Sequence, residues 1–282
     1  MTAALRLGLL VALVMTAFAA NSVLNRLALA GGGAGPAAFA AVRLLTGAAA
    51  LAVLLRLRGR ALPLAAKGRW KGAGALALYV LGFSFAYVTL DAGVGALILF
   101  GGVQITMFAG ALIGGERPSP LRWAGAGVAV LGLVWLLWPA GAAVPNAGGA
   151  ALMAAAALGW GVYSLIGRGA TDPLAETAAN FVWAAPVGLL AWIVVADAMA
   201  PSGVLLAALS GVVTSGLGYA LWYAVLPRLA ASTAALSQLT VPVIALAGGA
   251  VLLGEAVTLR VVLASALVIG GVALGVAATR RR

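Results

Sequence analysis

The chain has 282 residues, of which 64% are hydrophobic and only 8% charged, with a mean hydropathy of +1.14 and a formal net charge of +11. A water-soluble domain of this length cannot hide so much apolar surface, so lipid must serve as part of its solvent. The absence of Cys and His excludes disulfides, thiolate and imidazole metal sites and histidine acid–base chemistry, so no enzyme, metal or cofactor is expected.

A membrane-crossing helix needs roughly 20 apolar residues. Ten such runs are predicted in chain order, at about 7–29, 37–55, 73–90, 92–114, 121–138, 148–167, 175–196, 203–226, 232–253 and 259–279. The expected fold is therefore an all-α integral membrane protein of ten transmembrane helices, with no residues left for a soluble domain. The first run begins like a secretory leader, but it continues past the polar stretch Asn21–Arg26 to Ala30 and reads as a true span.

Polar and aromatic side chains inside these runs are the candidate functional residues, because a polar group in hydrocarbon must face a cavity or another helix. In order they are Asn21 and Asn25 on the first run, Arg43 on the second, Gln104 on the fourth, Asn180 on the seventh and Gln238 on the ninth. An amide can donate to a carboxylate and accept from an ammonium group. It can equally form a helix–helix hydrogen bond worth about 1 kcal/mol. Tyr79, Phe83 and Tyr87 recur every four residues and share one face of the third run. Trp160 and Tyr163 fall on the sixth run, Trp183 on the seventh, and Tyr219, Trp222 and Tyr223 on the eighth. Aromatic faces of this kind accept apolar side chains and delocalised cations. Arg43 either attracts a substrate carboxylate or has a structural role, snorkelling outward or bonding backbone carbonyls and a nearby Asn. Pro242, just beyond Gln238, is a candidate hinge. Trp70, Trp123, Trp135 and Trp138 lie near run ends and read as interfacial anchors.

With the N-terminus cytoplasmic, all of the 17 Lys and Arg residues except Arg26, Arg43 and Arg260 fall at the inner ends of runs. The positive-inside rule then puts both termini in the cytoplasm. The six acidic residues, Asp91, Glu116, Asp172, Glu176, Asp197 and Glu255, all lie at or near run ends, so no carboxylate relay for protons is evident within the membrane.

Residues 93–140 and 232–279 repeat one plan: a small-residue apolar helix, then Gly-Glu (Gly115-Glu116; Gly254-Glu255), a short polar turn, an Arg (Arg122; Arg260), and a second apolar helix. Ser22 and Arg26 have counterparts at the same spacing in Ser164 and Arg168. The chain thus divides into a first repeat at 1–140 and a second at 141–282. Five spans per repeat means that the two insert with opposite orientation, the arrangement that supports alternating access.

Together these segments resemble the EamA-type ten-span exporters of the drug/metabolite transporter superfamily. The resemblance rests on Asn21-Ser22, on Ala40–Leu45 around Arg43, and above all on Tyr219–Leu226, Ala234–Val243 and Gly254-Glu255. The chain departs from the family pattern at Val103-Gln104-Ile105-Thr106, where a Pro is usual. The resemblance implies a bacterial inner-membrane protein, monomeric or weakly dimeric, with the bilayer and a small-molecule substrate as partners and no nucleic acid. The implied function is export of small amphipathic metabolites, amino acids foremost, with cationic drugs also possible cargo. The alternative is a same-fold carrier of a nucleotide-sugar, a lipid-linked sugar or another drug, but a phosphate-bearing cargo demands several cavity cations and only Arg43 qualifies.

Overall fold

The structure is a computed structural model that describes residues 2–139, 144–168, 170–229 and 231–277. The boundary drawn between 140 and 141 and the basic cluster Arg280–Arg282 lie outside them. The described chain is helical: α1 (Ala3–Ala30), α2 (Pro36–Leu57), α3 (Arg69–Ala86), α4 (Ala92–Ile113), α5 (Pro120–Leu137), α6 (Ala147–Gly167), α7 (Pro173–Val195), α8 (Pro201–Leu209), a π-helical segment (Ser210–Leu217), α9 (Gly218–Val225), α10 (Ala231–Gln238), α11 (Thr240–Leu253) and α12 (Leu259–Ala277). Proline at the first position starts α2, α5, α7 and α8, where its missing N–H costs nothing. Ser119, Asn146 and Asp172 cap α5, α6 and α7 with their side chains.

Among the described residues nine helical stretches are long and apolar enough to cross a membrane. The third run is the exception. It was expected over 73–90, but α3 starts earlier, at Arg69, and ends at Ala86, with residues 87–90 turning into α4. Its first turn carries Arg69 and Lys71, which lowers its apolar content, and it is paired along its length with α6 and α7. The protein is a multi-pass membrane protein of about ten spans. The eighth span is the α8–π–α9 run, and the ninth is α10 followed by α11.

The ninth span is broken at Leu239, three residues before Pro242. Pro242 is the third residue of α11 and has no N–H for the carbonyl of Gln238, so an unbroken helix through this point would lose a bond and clash. The equivalent fourth span, which lacks the proline, is continuous from Ala92 to Ile113. Pro186, by contrast, lies inside α7 without ending it.

The spans alternate in direction between two ends of the bundle. At one end Ala34 bridges to Met199, Asp197 caps α2, and Glu255 meets the start of α4. At the other end Arg60 pairs with Asp172 and Arg69 with Glu176. Glu116, which follows the far end of α4, therefore lies at the opposite end from Glu255.

The repeated Gly-Glu is a helix stop. Gly115 (φ +83°) and Gly254 (φ +68°) adopt the left-handed conformation that only glycine enters cheaply. In each copy the N–H of the following Glu closes the helix end, Glu116 onto the Ala111 carbonyl at 3.0 Å and Glu255 onto that of Gly249 at 3.1 Å.

Close backbone approach holds α5 against α12. A Cβ added at Gly271 would lie 2.5 Å from the Gly125 carbonyl oxygen and 2.6 Å from Ala129 N, whereas one added at the adjacent Gly270 meets nothing within 4 Å. Gly271→Val should therefore overpack the crossing by about 1–3 kcal/mol and lower the melting temperature in detergent, while Gly270→Val leaves it near wild type. Equal melting temperatures would mean that the two helices do not pack through Gly271.

Candidate functional site

A polar network lies where α1, α2, α3 and the π-helical segment meet. The Asn21 carboxamide oxygen accepts from Ser210 Oγ (2.5 Å) and Thr214 Oγ1 (3.0 Å), while Asn21 Nδ2 donates to Tyr79 Oη at 3.4 Å. Arg43 Nη2 donates to the same Tyr79 oxygen at 3.0 Å, and Arg43 Nε donates to Ser215 Oγ at 3.1 Å. Arg43 is fully buried. Its guanidinium carbon lies 5.1 Å from both the Tyr79 and the Phe83 ring centroids, a cation–π arrangement. Of the two structural roles open to Arg43, neither snorkelling nor carbonyl bonding occurs; its partners are a hydroxyl from another span, a phenol and two ring faces.

Local sequence explains why these elements converge. Gly211 has no side chain, and a Cβ there would meet the Arg43 carbonyl at 2.5 Å. The π-segment can thus lie directly on α2 and bring Ser215 to Arg43. One turn along α1, Asn25 Nδ2 donates to the Asn21 carbonyl at 2.8 Å, and Asn25 Oδ1 accepts from Ser84 Oγ at 3.2 Å. Ser22 Oγ and Arg43 Nη1 are buried with no protein partner.

Beside this network is a small central cavity of about 20 Å³, lined by Phe18, Asn21, Tyr79, Phe83, Trp160 and Tyr219, with Ser22, Thr214, Leu99 and Phe100 completing it. Tyr79, Trp160 and Tyr219 pack ring against ring at centroid distances of 4.9 and 5.1 Å. That volume holds about one water, so nothing the size of an amino acid fits until the walls part. A second, larger cavity of about 310 Å³ opens at the end of the bundle bearing Lys67 and Pro173, and is lined there by Tyr163, Glu176, Thr177, Asn180 and Tyr223. Tyr163 stacks on Trp160 (5.5 Å, 27° between planes), so this aromatic pair separates the larger vestibule from the central cavity. Tyr163 also donates to Thr177 Oγ1 at 3.1 Å.

The opposite end is sealed by two carboxylates that reach across to helix N-termini. Both Glu255 oxygens accept from Ala92 N (2.8 and 3.1 Å), and Arg26 Nε donates to Glu255 Oε1 at 3.2 Å. Arg26 also bonds the Tyr87 and Val88 carbonyls and Asp91. Burial pushes the Glu255 carboxyl above its ordinary range, against the lowering pull of the Ala92 N–H and Arg26. Asp197 accepts from Ala37 N (2.8 Å) and Ala38 N (2.9 Å), and negative charge is favoured at such a helix start. Glu116 behaves differently: it is half exposed and pairs with Arg122 of its own turn at 3.2 Å.

Of the residues singled out in the sequence, Asn21, Tyr79, Phe83, Trp160 and Tyr219 come together around the central cavity. Tyr163 and Asn180 line the vestibule, where Asn180 Oδ1 accepts from Arg69 at 3.5 Å. Tyr87 is buried past the end of α3, edge-on to Phe83 at 4.7 Å, and donates to the Ala92 carbonyl at 3.2 Å. It fixes the turn into α4 rather than lining the cavity. Trp222 backs the wall through Phe18, at 6.1 Å. Gln104 and Gln238 are half-buried and outside both linings. Trp183 is 46% exposed on the outer face of α7. Sequence reasoning named Ser22 only as part of a motif, and passed over Phe18, Ser210, Thr214 and Ser215. Phe18, Asn21 and Ser22 are spaced i, i+3, i+4 and share a helix face, and the polar Ser-Gly-…-Thr-Ser-Gly stretch interrupts an apolar run, so both signals were present.

Comparison with known proteins agrees with this architecture. The EamA-like transporter family matches residues 147–276. The chain is 47% identical over 268 residues to an uncharacterized protein, PA1977, of Pseudomonas aeruginosa, covering 94% of this chain and 93% of that one. A solved crystal structure, titled only as that of a protein, superimposes with a TM-score of 0.68 at 25% identity, over 94% of this chain and 97% of its own. With about ten helical spans among the described residues, a cavity between them and these likenesses, the chain belongs to the EamA-like transporter family of the drug/metabolite transporter superfamily, membrane carriers of small molecules.

Proposed function

We propose that the protein exports small amphipathic metabolites, amino acids with apolar or aromatic side chains foremost, across the bacterial cytoplasmic membrane by alternating access, and that organic cations are secondary cargo. The observation that carries this reading is the central cavity. It combines stacked aromatic faces with the Asn21 amide and draws its walls from both halves of the chain, Phe18, Asn21, Tyr79 and Phe83 from the first and Trp160, Thr214 and Tyr219 from the second. Aromatic walls suit an apolar side chain, and hydrogen-bonding groups fix a polar end.

The two halves, 1–140 and 141–282, act in this reading as inverted five-helix repeats. Its support is the pairing pattern. α2 packs on α7, α5 on α12 and α4 on α11, while α3 against α6 is matched by α1 against the α8–π–α9 run. Exchanging the first five spans for the second five leaves that set of pairs unchanged. With the termini in the cytoplasm, the vestibule opens inward and the Glu255 and Asp197 seals close the outer side. Pro242 supplies the hinge, and Gln238 borders it from the end of α10. The broken span can swing where the continuous α4 cannot.

A phosphate-bearing cargo is disfavoured because a single guanidinium, Arg43, stands beside the central cavity.

Two measurements test the reading. Cysteine at 116 and cysteine at 255, each introduced singly into a chain with none of its own, should react with impermeant reagent from opposite sides of the membrane, 255 from outside. Labelling of both from one side would end the inverted arrangement. Trp160→Ala should lower saturable amino-acid flux in proteoliposomes about tenfold, as expected for the loss of stacked aromatic contacts, with the protein still folded in detergent. Wild-type flux would take Trp160 out of the pathway.

A further inference from the structure

The geometry points to Arg43 as the anchor for a substrate carboxylate, which makes solutes bearing one the preferred cargo. The inference rests on the transport reading above and deepens it.

The charge of Arg43 is uncompensated. It is fully buried inside a span, and every ion pair of the described residues lies at one end of the bundle or the other: Arg26 with Asp91 and Glu255, Arg60 with Asp172, Arg69 with Glu176, Arg122 with Glu116. The remaining acidic residue, Asp197, caps α2. A guanidinium held in low dielectric with no anion is costly. Two hydrogen bonds to neutral oxygens and two ring faces offset only part of that cost. What the site lacks is a negative charge.

Its spare hydrogen-bonding capacity is mainly that of donors. Arg43 Nη1 has no partner. Tyr79 Oη accepts from both Arg43 Nη2 and Asn21 Nδ2, so its own phenolic proton points elsewhere; Tyr79 lines the cavity beside the Tyr219 hydroxyl, and that proton can turn to an acceptor placed between them. A phenol that accepts from a guanidinium is a stronger donor for it. Ser22 Oγ, also on the cavity wall, makes no well-formed hydrogen bond and has the Tyr87 phenol as its polar neighbour. A planar carboxylate, with two acceptor oxygens and one negative charge, answers the guanidinium, the phenol and the hydroxyl together. A phosphate would bring more charge than one cation balances, and an organic cation gains only the aromatic walls and not the anchor, which ranks it second.

When the aromatic walls part to admit a solute, its carboxylate end goes toward Arg43 and Tyr79, and its apolar end lies among Phe18, Trp160 and Tyr219. Arg43 is thus a specificity-determining residue and Tyr79 its intermediary.

The test compares acids with their neutral counterparts on the intact protein. Purified protein in detergent is titrated with each of the twenty amino acids and with the carboxamide of each, and the gain in melting temperature is followed; flux of the tightest binder is then measured in proteoliposomes. The wild type should require at least about tenfold more carboxamide than acid for the same stabilisation, as a charge-assisted hydrogen bond would give. Arg43→Gln should bring that ratio close to one, and Arg43→Lys should keep part of it. Should Arg43→Gln fail to fold, the wild-type ratio alone decides. Saturable flux with no preference for the acid would overturn the carboxylate anchor and leave the transport reading standing. No stabilisation and no flux with any of the twenty would overturn both.

Discussion

Hydrocarbon offers no hydrogen bonds, so every polar group that this chain carries into the bilayer must be met from within. The arrangement at the centre of the bundle follows from that constraint. Arg43 requires Tyr79 and Ser215, Tyr79 also receives Asn21, and Asn21 requires Ser210 and Thr214. The chain of needs ties α1, α2 and α3 to the π-segment of the eighth span. That segment in turn depends on Gly211 to approach α2. A π-turn within an α-helix is a recurrent mark of functional positions, and here it delivers three hydroxyls to one place.

Around this polar centre the bundle is held by shape. Lipid is as apolar as leucine, so helices associate by close contact rather than by escape from water. The α5–α12 crossing at Gly125 and Gly271, the approach of Gly159 to the α3 backbone, and Gly188 against Ala41 of α2 are contacts that a single added methyl would disturb. Polar seals are confined to the ends, where water reaches them. Among the described residues, Arg43 is the buried charge without an ion-pair partner, and the ion pairs lie at the ends.

Much of this was legible in the chain. Hydropathy located the spans because a bilayer imposes a length, and the Gly-Glu repeat located two helix stops because a left-handed residue must be glycine. The cavity residues Asn21, Tyr79, Phe83, Trp160 and Tyr219 could be picked out as polar or aromatic groups in apolar runs. What periodicity could not supply was rotation about each helix axis. Trp183 and Trp222 look alike in sequence, yet one faces outward and the other backs the cavity wall. The amides Gln104 and Gln238 were equally eligible and stand aside. The polar stretch of the π-segment stood out in the sequence, but its facing did not: its wider turn shifts which residues share a face, so a constant helical period misplaces Ser210, Thr214 and Ser215. The break in the ninth span comes at Leu239, three residues before Pro242, because a proline disturbs the turn before it.

The two Gly-Glu stops are chemically identical and behave differently. Glu255 is clasped by Arg26 and the first N–H of α4, while Glu116 holds only Arg122 of its own turn. The counterpart of Arg26 in the second half, Arg168, is exposed and makes no ion pair among the described residues. In the proposed inverted-repeat reading, these are one clasp, fastened at Glu255 and undone at Glu116. Under the proposed exchange of halves, the geometry at Glu255 is a template for what Glu116, Arg168 and the beginning of α10 adopt when the carrier faces the other way.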